Sequence, residues 1–332
     1  MYAPHTSRGT DAPAFLKAGS QPHLSARQAR MSTQRLRIDL AYDGTDFSGW
    51  ARQPGLRTVQ DELETGLTRI LGRNAEPVSI TVAGRTDAGV HAHHTVTHTD
   101  VPTALWKRVP GRSERTPEIA ALSRLAGVLP RDIVVRSITP VPTSFDARFS
   151  ALHRRYLYRL CDNPPLLDPL RRRDTVLVSE RLDVDALNAA SALLVGLRDF
   201  AALCKKRPYS TTIRTLQLFA WERLDEGTVV AHVQADAFCH SMVRALVGAL
   251  VPVGHGKREI EWPSKVVASQ EKNPGVVVMP AHGLSLMHIA YPELAEVGER
   301  AKNTRARRVL PLAQPNAQQT CPAPTSPEPG QT

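Results

Sequence analysis

Apolar positions along the chain recur at two spacings, every second residue and every third or fourth, and the switches between them mark a succession of strands and helices. Leu36, Ile38 and Leu40 alternate with Arg37 and Asp39, which predicts a half-buried strand that Asp43-Gly44 turns. Val59, Leu63, Leu67 and Ile70 then follow helical spacing behind Thr58, a predicted N-cap with Asp61 three residues on. Val78, Ile80 and Val82 return to alternation. A helix is predicted over 119–125, a strand over 133–135, and a connection at Pro140 and Pro142. The second half repeats the plan, with strands over 152–160, 213–224, 228–237 and 284–289 and helices over 184–194, ending at Gly196, and over 241–250.

Mixed strands and helices in both halves predict an α+β protein: two similar subdomains, 34–140 and 141–292, sharing one mostly antiparallel sheet with helices on one side and a central cleft. With 332 residues and 42% hydrophobic content, the chain has enough apolar surface for one large core or two modest ones. Residues 1–33 and 293–332 lack periodicity and carry scattered prolines, so both ends are expected to be unstructured.

Charge narrows the class of partner. The net charge of +10 is the footprint of a protein that meets polyanions. Its cations cluster at Arg154-Arg155, Arg171-Arg172-Arg173 and Lys205-Lys206-Arg207, each either a phosphate-binding surface or a solvated face. Cys161, Cys204, Cys239 and Cys321 form no C-x-x-C pair, so neither a disulfide framework nor a zinc ribbon is expected. No apolar run approaches the roughly 20 residues that span a bilayer, and the expected location is the cytoplasm. Strand alternation sends His91 and His93 to one side and His94 and His98 to the other, and no cysteine or paired carboxylate completes a ligand set, so no metal site is expected.

The candidate chemistry lies in Ala83-Gly-Arg-Thr-Asp-Ala-Gly-Val-His-Ala92, a glycine-punctuated loop after a strand. It holds Asp87 on a fixed scaffold beside Arg85. A neighbouring guanidinium favours the ionised carboxyl while burial disfavours it, a balance that suits a nucleophile. For an isolated Asp-Ala-Gly, a turn cap paired with Arg85 accounts for the residues equally well. Tyr156 and Tyr158 share one face of a strand, and Arg244 falls near the apolar stripe of a helix, where a guanidinium needs a partner.

Several ordered runs, spread over roughly 35–291, resemble one family, the TruA-type tRNA pseudouridine synthases: G-R-T-D-A-G-V-H from Gly84, Y-D-G-T-D-F-S-G-W from Tyr42, A-R-F-S-A from Ala147, R-R-Y-L-Y from Arg154 and F-C-H-S-M-V-R from Phe238. The resemblance implies two similar subdomains flanking a cleft and a homodimer gripping tRNA. It implies isomerisation of uridine to pseudouridine at positions 38, 39 and 40 of the anticodon stem-loop, without metal or cofactor. Asp87 is then catalytic together with Arg85, Tyr156 stacks on an everted uracil, and Arg244 pairs with Asp87. Arg154, Arg155, Lys205, Lys206 and Arg207 are the expected RNA contacts, and His91 is expected to frame the loop. The sequence departs from the family at Ser241, commonly a second histidine, at Ala245, often asparagine, and at Ser285, where an aromatic is familiar. Two other classes remain in view: a catalytically silent RNA-binding protein of the same fold, and a hydrolase of N-glycosidic bonds.

Overall fold

A computed structural model describes residues 32–73, 75–205 and 211–305. Ten strands form one sheet: β1 (Thr33–Tyr42), β2 (Thr81–Val82), β3 (His91–Pro102), β4 (Ile133–Pro140), β5 (His153–Cys161), β6 (Val176–Leu177), β7 (Gly196–Asp199), β8 (Ile213–Arg223), β9 (Val229–Ala235) and β10 (Leu284–Ala290). Their order is β4-β1-β3-β10-β5-β9-β8-β7, with β2 on β3 and β6 on β5. Most pairings are antiparallel; β10 runs parallel to β3 and antiparallel to β5. The last strand therefore closes the seam between strands drawn from before residue 141 and strands drawn from after it.

Alternation makes β1 as expected: Leu36, Ile38 and Leu40 are fully buried while Arg35, Arg37 and Asp39 face the other side. Seven helices occur among the described residues: α1 (Val59–Leu71), α2 (Thr103–Trp106), α3 (Pro117–Val128), α4 (Val184–Ala192), α5 (Met242–Gly254), α6 (Trp262–Ser269) and α7 (Val297–Arg305). In α1 the Thr58 hydroxyl accepts from Asp61 N–H, the predicted cap, and Val59, Leu63, Leu67 and Ile70 are buried. Helix α5 is apolar almost all round and lies in the core, where Gly248 leaves no room for a side chain against the Val277 carbonyl.

Several sequence expectations shift. The chain past Glu293, expected to be unstructured, forms α7, which buries Val297 and Ala301 four residues apart. Strand β4 runs on through Pro140 instead of stopping at Val135, and the alternating run at 78–82 narrows to β2. Gly196 opens β7. Although no disulfide framework is expected, Cys204 and Cys239 are joined by a disulfide with their Cα atoms 5.8 Å apart. A register shift of β1 against β3 near Tyr42 breaks the alternation used to sort the histidines. His94 bonds to Asp39 across it, and His98 accepts from Ala147 N–H.

Candidate active site

The loop bearing Asp87 leaves β2 and enters β3, and the Tyr42–Trp50 segment is its seat. Trp50 N–H donates to Thr86 O at 3.1 Å, Gly89 N–H to Phe47 O at 3.3 Å and Gly44 N–H to His91 Nδ1 at 3.1 Å. The Tyr42 hydroxyl meets the Thr86 hydroxyl at 2.7 Å in a buried contact. Gly49 adopts φ +88°, and a Cβ there would lie 3.0 Å from Thr86 O. Only glycine meets both demands without strain, which explains why a Gly-Trp pair sits under the loop.

Asp87 itself lies at the N-terminal end of α5, the positive end of the helix dipole. Three residues from that helix end converge on its carboxylate. Arg244 Nη1 donates to Oδ2 at 3.2 Å, the Ser241 hydroxyl donates to the same oxygen at 3.0 Å, and His240 Nε2 lies 3.1 Å from Oδ1. Arg244 is fixed in turn by donating through Nε to Met279 O at 2.6 Å. The Asp87 side chain keeps 24% of its exposure, so the carboxylate is held from behind and open in front.

Tyr156 is buried in β5, edge-on to Phe238 with ring centroids 5.1 Å apart. Burial pushes its phenol up to about 12, and the Asp87 charge adds to the rise while Arg154 opposes it. Among the described residues its hydroxyl has no hydrogen-bond partner. Tyr158, one turn of alternation on, is fully buried and donates to Pro280 O at 2.7 Å. Tyr158 thus lies in the core, while Tyr156 is buried close enough to Asp87 to feel its charge.

Sequence and structure differ on the arginines. Arg85 does not pair with Asp87: its side chain is exposed and has no ion-pair partner among the described residues. Arg154 is not a surface contact either. It is 6% exposed, with Nη1 donating to Asp236 O and Nη2 to Ala83 O and Arg148 O, so it clamps the start of the catalytic loop. Desolvation lowers its pKa, yet a guanidinium stays charged and needs these three acceptors. Arg155, one residue on, is exposed on the opposite sheet face. Lys205 is exposed, and its N–H bonds to His240 O at 3.4 Å, beside the site. Lys206 and Arg207 lie outside the described residues.

Sequence reasoning gives no role to His240 or Ser241. A signal is nonetheless present: both immediately precede the helix that carries Arg244, so a group held by Arg244 at that helix end lies within their reach.

The family model described as tRNA pseudouridine synthase matches residues 40–150 and 190–292, spans that contain Asp87, His240, Ser241 and Arg244. A curated relative from Streptomyces griseus, named tRNA pseudouridine synthase A, is 50% identical over 287 residues, covering 86% of this chain and 98% of its own. Relatives of the same name from Cutibacterium acnes and Corynebacterium glutamicum are 51% and 44% identical, covering 82% and 84% of this chain and 95% and 96% of theirs. The chain belongs to the tRNA pseudouridine synthase family, an isomerase family.

Proposed function

We propose that this chain converts uridine to pseudouridine in tRNA, at positions 38, 39 and 40 of the anticodon stem-loop. The observation that carries the reading is Asp87, an accessible carboxylate anchored by Arg244, Ser241 and His240 beside a tyrosine with a free hydroxyl. The reaction breaks the bond from ribose C1′ to N1 of uracil, turns the base and joins C1′ to C5. N1 gains a hydrogen and C5 loses one, so the product is an isomer. Asp87 acts at the sugar or the base as nucleophile or proton acceptor, and its neighbours hold it in place. Tyr156 gives the everted uracil an aromatic wall and a hydroxyl.

A base inside a helix must be unstacked, at a cost of about a few kcal/mol, which stacking and phosphate contacts offset. Arg85, exposed and without an ion-pair partner among the described residues, is free to meet RNA phosphate, as is exposed Lys205, whose backbone N–H bonds to His240 O. A cavity of about 690 Å³ is lined by Arg131, Arg136, Arg159, Arg171 and Arg173 together with Asp43, Asp132 and Asp174, and its surplus of cations supports a longer phosphate path. Two copies gripping one tRNA fit the expected homodimer. No helix among the described residues is long and apolar enough to cross a membrane.

The test is tritium release from tRNA labelled at uridine C5, with nucleoside analysis of the product. Release with pseudouridine retained in the chain at positions 38–40 supports the reading. Free uracil in place of pseudouridine identifies a hydrolase, and binding without release identifies a silent RNA-binding protein.

A further inference from the structure

Ser241 adopts φ +62° and ψ 9°, a left-handed conformation that L side chains avoid, at the N-cap of α5. Serine at such a position ordinarily caps its helix through the hydroxyl, and here it makes no cap hydrogen bond. Glycine satisfies this backbone without strain. What the serine supplies is the hydroxyl, which donates to Asp87 Oδ2 at 3.0 Å. His240, the residue before it, contacts Asp87 Oδ1 at 3.1 Å through Nε2, while its Nδ1 is buried with no partner. The Nε2 contact lies at ion-pair distance and holds Oδ1 when the ring is protonated. The two residues thus grip different oxygens of one carboxylate, and Oδ2 also receives Arg244.

We propose that His240 and Ser241 are positioning residues that lock the Asp87 carboxylate, with Oδ2 as the anchored oxygen and Oδ1 as the one presented to substrate. Oδ2 has two hydrogen-bond donors, whereas Oδ1 has only the His240 ring 3.1 Å away, on a side chain that is still partly exposed. A carboxylate free to rotate would exchange its oxygens and spend part of its time misdirected; two donors and the His240 ring from one helix end prevent this. Ser241 matters in this scheme although its backbone is a local strain, because the strained turn is what aims the hydroxyl at Oδ2. The inference rests on Asp87 being the reacting group.

Single-turnover pseudouridine formation, tRNA affinity and melting temperature of four variants test it. Ser241→Gly is expected to slow the chemical step about 10- to 100-fold, the loss of one hydrogen bond to a charged group, while tRNA Kd holds and the melting temperature stays level or rises. His240→Ala is expected to slow the step by a smaller factor, and His240→Gln, whose amide nitrogen can donate to Oδ1, recovers part of the loss. Asp87→Asn serves as the reference. If Asp87→Asn is inactive while Ser241→Gly and His240→Ala turn over at the parent rate, the positioning roles are overturned and the carboxylate assignment stands. If Asp87→Asn is itself active, the underlying reading fails.

Discussion

Two carboxylate–arginine pairs in this molecule look alike by count and differ in function. Asp162, just past β5, receives Arg223 Nη1 on Oδ1 at 2.8 Å and Arg223 Nη2 on Oδ2 at 2.7 Å, with Leu182 N–H on Oδ2 at 2.8 Å. Asp87 likewise has three partners, two donors on Oδ2 and the His240 ring 3.1 Å from Oδ1. Counting partners therefore does not separate a structural acid from a catalytic one; access and geometry do. The Asp162 side chain is wholly buried in a two-pronged fork, and Arg223 is further tied to Leu182 O and Gly227 O. Asp87 has a single, longer guanidinium contact at 3.2 Å and an open front. One pair is closed on itself, and the other is left unfinished for a ligand.

The widest gap between them is in turnover. Asp87→Asn keeps the shape and removes the charge, and single-turnover pseudouridine formation is expected to fall by about 10³-fold or more, on the scale of losing a catalytic nucleophile. Unfolding free energy and tRNA affinity should change little. Substantial residual turnover would return Asp87 to a turn cap.

Asp162→Asn reverses the pattern. Breaking a buried fork leaves the Arg223 charge uncompensated, and urea unfolding is expected to show a loss of about 3–5 kcal/mol. Activity per folded molecule should persist. Burial raises the Asp162 pKa, but the hydrogen bonds from Arg223 and Leu182 outweigh it and hold the carboxyl below the usual range. The parent pair therefore stabilises the fold above the ordinary carboxylate pKa, and this is lost as pH falls through the lowered value. A variant equal in stability to the parent at pH 7 would show that the fork contributes nothing net.

Much of this contrast is legible in the amino-acid sequence, and the parts that are not have physical causes. Strands and helices follow from local periodicity, and the Thr58 cap from one residue's chemistry. Strand order does not, because β10 joins β3 and β5 through contacts far apart in sequence. The Cys204–Cys239 bond spans 35 residues and is equally non-local. Helix α7 escapes detection because two apolar residues four apart make too short a stripe in a polar segment. The Arg154 clamp is within reach of the pattern: alternation that places Tyr156 on the buried face places Arg154 there too and sends Arg155 outward. Asp87 and Arg244 are legible as a pair through motif likeness, whereas Arg85 misleads because a loop neighbour in sequence need not face the same way.

The seat of the loop offers a smaller test of the same contrast. Gly49→Ala sets a Cβ 3.0 Å from Thr86 O at a positive φ, expected to cost about 1–2 kcal/mol of stability. Because Thr86 precedes Asp87, the single-turnover rate should fall as well. An equal glycine replacement far from the loop, Gly196→Ala at φ +110°, should lower stability without touching the rate per folded molecule. If both variants leave the rate alone, the seat does not position the carboxylate.

The smallest expected effect concerns the tyrosine beside the open carboxylate. Tyr156 has a folded pKa near 12 against an ordinary value of 10, raised chiefly by burial. The folded state therefore holds the phenol proton where the unfolded chain has released it. That contribution is complete below pH 10 and is lost as pH rises from 10 to about 12. Replacing the phenol by Tyr156→Phe removes one such group, so the variant should lose stability with pH less steeply than the parent in this window, by up to about 1.4 kcal/mol per pH unit. Urea unfolding at pH 9.5, 10.5 and 11 measures the slope. Tyr158→Phe is the control within the comparison, since its hydroxyl is tied to Pro280 O and its pKa is raised by burial too. It should flatten the slope similarly but lower stability already at pH 7, where the lost hydrogen bond is worth about 1 kcal/mol. A Tyr156→Phe variant with the parent's slope would mean that the phenol titrates as if in water, and the wall of the site would then be wet.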